Sequence, residues 1–159
     1  MKPAGYIIHT PAGPVGERGL AYTYVLAGNA VFLEADNTLL EARIALANIT
    51  VRGLPPLEPY FRLRHGLIPG HLMDLVVDVS YAKLHQEVYA AIAWDGREYT
   101  ISVPPQDAGA GHVSYETGPS SVVGVHSHGR MGAFFSSTDD ADDQGFSVSV
   151  VLGELGRLV

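Results

Sequence analysis

Two histidines one residue apart close an apolar run, Val122-Val123-Gly124-Val125-His126-Ser127-His128, and Ser136-Ser137-Thr138-Asp139 follows, with ten residues between His128 and Asp139. On a strand, side chains two apart project to the same side, so His126 and His128 can reach one ion. The intervening segment is long enough to loop out and return Asp139 as a third ligand. Two imidazoles and one carboxylate, with the fourth position left to water, suit a catalytic zinc. Such an ion lowers the pKa of its water toward about 7 and polarises a carbonyl oxygen. The chemistry also needs a carboxylate base that is not itself a ligand, and Glu87, Glu98 and Glu116 are the candidates. Glu87 is preferred, because the junction of a helix with an apolar strand puts polar side chains at the mouth of a sheet. Ser136, three residues before Asp139, is placed to donate a hydrogen bond where negative charge develops on a tetrahedral intermediate. These residues read as the site of a metal-dependent hydrolase.

The elements that must position them are mostly strands. Residues 69–86 form the best helix pattern: Pro69 suits its first position, and Leu72, Val76, Val79 and Lys83 share one side. Leu75, Ala82 and Met73 widen that stripe, while Asp74, Asp78 and Gln86 can face water. A strand over 88–94 (VYAAIAW), an Asp95-Gly96 hairpin turn and a return strand over 98–103 follow. Residues 104–111 read as loop, 112–116 as a short strand, 117–121 as a turn and 146–155 as the last strand. Upstream, Tyr6–Thr10 is a strand candidate and the Gly/Pro-rich stretch after it is a loop. Residues 21–53 suggest an antiparallel meander with turns at Gly28-Asn29 and Asp36-Asn37, its last piece ambiguous between strand and helix. The proline-rich 53–60 is a connector. The expected fold is α/β with a mixed sheet, divided into a β-rich extension (1–60) and a catalytic domain (61–159).

Composition narrows the function. An apolar fraction of 47% and a charged fraction of 17% over 159 residues belong to an ordered globular chain. Cysteine is absent, so a metal site must use His, Asp and Glu. A formal charge of −7 argues against nucleic acid as the main partner. No apolar run approaches the roughly 20 residues of a membrane span, and the N-terminus lacks a secretory pattern, so the expected address is the cytoplasm.

Other polar residues have plainer readings. His9, His65, His71 and His112 are expected to be structural or exposed, and His85 suits a helix C-terminus. Asp140–Gly145 loosely matches the opening of a calcium loop, but Val151 stands where a bidentate Glu is required. Those aspartates read instead as a solvated acidic rim. Trp94, Tyr89, Phe134 and Phe135 are expected mainly in the core, although Phe134 and Phe135 lie between the ligands and can wall the site.

The set of residues resembles the JAMM, or MPN-type (JAB/Mov34/PAD-1), metallopeptidases. Their signature is a Glu after the first helix, then H-x-H, ten residues and an Asp with Ser three before it. The resemblance covers roughly residues 67–152. It implies His126, His128 and Asp139 as zinc ligands, Glu87 as general base and Ser136 as the hydroxyl stabilising the oxyanion. It also implies a curved mixed sheet with helices packed on it, close to the cytidine-deaminase architecture. Family members cut peptide or isopeptide bonds, often beside the C-terminal glycines of ubiquitin-like or sulfur-carrier proteins. The HSHG…AFFSSTDD…DDQGF stretch looks most like a bacterial branch, the PRTRC system protein A type. Two positions depart from the pattern: Gly129 stands where many members have Pro, and Glu87-Val88-Tyr89-Ala90-Ala91 replaces a common E-x-x-G.

Two functions are therefore weighed: a zinc metallopeptidase or isopeptidase acting on a protein or peptide, and an MPN-type scaffold that is catalytically silent and docks protein partners. Retention of every metal and catalytic position favours the enzyme, because a scaffold has no chemical need of them together.

Overall fold

Strand-forming residues dominate the chain, and strands dominate the structure. The computed structural model of the protein describes residues 2–108, 113–115, 120–136 and 146–157. The chain divides into two compact units, Met1–Gly66 and Leu67–Val159.

The first unit is a six-stranded sheet in the order β2-β1-β3-β4-β5-β6. Its strands are β1 (Ala4–Thr10), β2 (Gly13–Glu17), β3 (Tyr22–Leu26), β4 (Ala30–Asp36), β5 (Leu40–Asn48) and β6 (Tyr60–Leu63). The meander expected over 21–53 is present as β3-β4-β5, antiparallel throughout. The Gly28-Asn29 turn closes with the Ala27 N–H donating to the Ala30 carbonyl at 3.0 Å. The ambiguous segment is a strand, β5. Strand β1 adds in parallel to β3, and β2 folds back on β1. The loop expected after Thr10 is thus a strand. Pro14 and its flanking glycines obscure the pattern, and an edge strand tolerates a residue without an N–H. Ile7, Val25, Ala27, Ala30 and Phe32 form the unit's core, with Leu57 of the proline-rich connector packed against them.

The second unit is a four-stranded mixed sheet, β12-β11-β7-β8, with one α-helix. Its elements are α1 (Gly70–Ala82), β7 (Val88–Trp94), β8 (Tyr99–Ser102), β11 (Ser121–Ser127) and β12 (Val148–Leu152), followed by a 3-10 turn at Leu155–Arg157. Strands β9 (Gln106–Ala108) and β10 (Val113–Tyr115) pair as a separate ribbon. β11 runs parallel to β12 and antiparallel to β7. The mixed sheet matches expectation, and α1, where the helix was expected, is the one α-helix among the described residues. It is also shorter than 69–86, ending at Ala82 with Lys83 as C-cap, and Pro69 caps it instead of opening it. Its buried stripe is Leu72, Val76 and Ser80. Ser80 replaces the expected Val79 because its hydroxyl donates to the Val76 carbonyl at 2.8 Å, which satisfies it inside the packing. Among the described residues no helix is long and apolar enough to cross a membrane.

Candidate metal centre

β11 is the central support of the site. Its burial is nearly continuous, as expected of an inner strand, and it ends in His126 and Ser127, with His128 directly after, at 6%, 0% and 5% exposure. Alternation sends both imidazoles to one side, and their ring centres lie 5.3 Å apart with the planes tilted by 39°. His128 is held from three directions. Its N–H donates to the Leu152 carbonyl at 2.8 Å, and its carbonyl accepts from the Met131 N–H at 3.0 Å. Its Nδ1 lies 3.3 Å from the Gly132 carbonyl oxygen. A carbonyl only accepts, so this contact calls for the proton on Nδ1, the tautomer in which Nε2 is the nitrogen that could coordinate an ion. Phe134 meets the same ring edge to face at 4.6 Å and is itself 53% exposed, so it walls the site as expected, outside the core. Phe135, at 55% exposure, is likewise no core residue.

Glu87 immediately precedes β7. The β7–β11 ladder pairs Tyr89 with His126 and Val88 with Ser127. One further step in that register brings Glu87 abreast of His128, on the face that carries both imidazoles. Glu87 is only 9% exposed. Glu98 is exposed in the turn between β7 and β8, the far end of β7 from Glu87. At about 3.3 Å per residue that is a strand length, some 20 Å, from the imidazole pair. It is no candidate for the base.

Ser136 is half-buried at the end of the loop that leaves His128. Asp139 lies outside the described residues, as do Glu116, His112 and the acidic run 140–145. Among the described residues no three His, Asp or Glu side chains group to hold a metal. His65, His71 and His85 are exposed and His9 is half-buried, in keeping with their plainer readings.

The imidazole pair fits a zinc ion. Ring centres 5.3 Å apart are close enough for both imidazoles to reach one ion at a Zn–N distance of about 2.0–2.1 Å. An all-nitrogen and oxygen donor set is also what a cysteine-free chain offers zinc.

Two features escaped the sequence reading. Tyr89, expected simply in the core, is 3% exposed on the same face as His126, and alternation from Glu87 would have located it. Gly129 takes φ +56°, and a Cβ there would run into the Leu84 carbonyl oxygen. A Pro at this position, fixed near φ −65°, is incompatible with that turn.

Residues 72–157, more than half of the chain, match the family model described as prokaryotic homologs of the JAB domain. No curated protein and no solved structure gives a significant match.

Proposed function

The chain belongs to the prokaryotic JAB-domain family, and on that premise we propose that it is a zinc-dependent metallopeptidase or isopeptidase. Its substrate is a protein or peptide, with ubiquitin-like or sulfur-carrier-type tails as the class to test first. The PRTRC-type bacterial branch is where the HSHG…AFFSSTDD sequence fits best. His126, His128 and Asp139 would hold the zinc, which supplies an acidified water and polarises the scissile carbonyl. The remaining work falls to the chain's own side chains. Glu87 accepts the proton of the attacking water and passes it to the leaving amine. The Ser136 hydroxyl donates a hydrogen bond to the oxygen on which negative charge accumulates. Loop 129–136 leads from His128 to Ser136, with the Phe134 ring against the His128 imidazole.

The observation that carries the reading is the position of Glu87: a carboxylic residue only 9% exposed that directly precedes the Val88–Ser127 rung, beside a buried imidazole pair on the neighbouring strand. Glu is rarely buried to that degree. The test separates metal binding from catalysis. Protein purified without chelator should carry about one zinc per chain, and His126→Ala or Asp139→Ala should lose it. Glu87→Gln should keep the zinc and lose at least about 100-fold in cleavage of a ubiquitin-like fusion. Stoichiometric zinc with no cleavage of any such fusion or short peptide would leave a docking scaffold instead.

A further inference from the structure

Beneath His126, strand β11 has no side chain of its own. Gly124, two residues earlier on β11, occupies the same face, and the space above it is filled from the neighbouring strand. Tyr89 stands opposite His126 in the ladder, and its ring leans over Gly124. A Cβ built on Gly124 would lie 3.0 Å from the Tyr89 hydroxyl oxygen, 3.2 Å from Cε2 and 3.5 Å from Cζ. The phenol is buried, at 3% exposure. Glycine at 124 and tyrosine at 89 are thus matched in size: the first leaves a hollow and the second fills it.

From this we infer that Tyr89 is a positioning residue, whose ring floors the site and holds the His126 imidazole turned toward the mouth, where His128 and Glu87 stand. The inference rests on the metal-centre reading and adds to it a residue outside the ligand and acid–base set. The physical reason is packing. Without the phenol, the hollow over Gly124 is open to the adjacent imidazole. A ring with a second rotamer available spends part of its time away from the metal, and the affinity falls by that fraction. His128 needs no such floor, because the Gly132 carbonyl and Phe134 already fix its ring.

The test uses the full chain, with zinc affinity measured by chelator competition and site geometry read from the visible absorption of the Co²⁺-loaded protein. Tyr89→Phe keeps the ring and should bind zinc within about twofold of wild type, whereas Tyr89→Leu should lose about 10–100-fold, the usual scale for groups that orient a ligand. Its Co²⁺ bands should shift as well. Gly124→Ala should weaken binding in the same direction, and by less in the Tyr89→Phe background, where the nearest atom is gone. Ile92→Ala is the control. Ile92 is fully buried in the same strand but alternates to the opposite face. Its apo protein should melt lower, yet its Co²⁺ spectrum should match wild type.

Wild-type affinity and spectrum in Tyr89→Leu would overturn the inference while leaving the metal centre intact. An Ile92→Ala variant that loses zinc as steeply at equal loss of apo stability would also overturn it, reducing the effect to general loosening. A loss in Tyr89→Phe as large as in Tyr89→Leu would transfer the role from ring to hydroxyl and overturn the packing argument. Absence of zinc from the wild type would remove both this inference and the reading beneath it. Should Tyr89→Leu not fold, Gly124→Ala alone decides, since it displaces the ring without deleting it.

Discussion

The turn after the second histidine shows how one residue sets the geometry of a ligand. Gly129 sits at φ +56°, and its carbonyl accepts from the Leu155 N–H at 3.0 Å. Gly129→Ala places a Cβ against the Leu84 carbonyl and demands a left-handed conformation that costs about 1–2 kcal/mol in a residue other than glycine. The expected outcome is a melting temperature lower by roughly 4–8 °C per kcal/mol, and weaker zinc binding because the turn carries His128 with it. Calorimetry and a zinc titration of the variant read both, and unchanged values would mean the turn relaxes without moving the imidazole. At this scale the sequence is informative about residue types and poor about register. The H-x-H spacing on an apolar run is enough to bring two imidazoles to one face. The alignment of Glu87 with His128 is not, because it depends on how two strands distant in sequence slide against each other, and that is fixed by packing on both faces.

Among the elements, the loop between His128 and Ser136 depends on the segment that follows β12. The Glu154 N–H donates to the Met131 carbonyl at 2.6 Å, the Leu155 N–H to Gly129, and the His128 N–H to Leu152. Leu155 is buried at 3% exposure and anchors this strap. Leu155→Ala should cost about 2–5 kcal/mol as a core truncation. It should also speed hydrogen exchange at the Leu155 and Glu154 amides, whose partners lie in the loop, and lower zinc affinity. Slow exchange at both amides in a destabilised Leu155→Ala protein would show that the strap holds without its anchor. Little of this was legible beforehand, since backbone bonds between a loop and a short C-terminal turn leave no periodic trace. The strong signals were those with local causes. The hairpin after β7 is one, with Asp95 accepting from the Arg97 and Glu98 N–H groups at 2.8 and 2.9 Å. Strand β2 was hidden because edge strands need neither alternation nor a full set of donors.

At the scale of the molecule, the division into Met1–Gly66 and Leu67–Val159 separates two cores. The family match at 72–157 falls wholly within the second. The first carries its own charge cluster: Glu34, with a side chain 6% exposed, pairs with Arg43 at 2.7 Å and Arg18 at 2.9 Å. Phe32, at 1% exposure, packs with Ile7, Val25, Ala27 and Ala30 inside that unit. Ligand linkage offers a way to tell the two cores apart, because zinc stabilises only the part of the chain that binds it. Phe32→Ala should destabilise the N-terminal unit by about 3–5 kcal/mol. The zinc affinity of the same protein should stay at the wild-type value, and a zinc titration should raise only the transition that Phe32→Ala does not lower. Differential scanning calorimetry with and without zinc makes the distinction, since two units that unfold separately give transitions that different probes resolve. One transition moved together by Phe32→Ala and by zinc would show that residues 1–66 form part of the cooperative structure that holds the metal, and their role would then belong to the site itself.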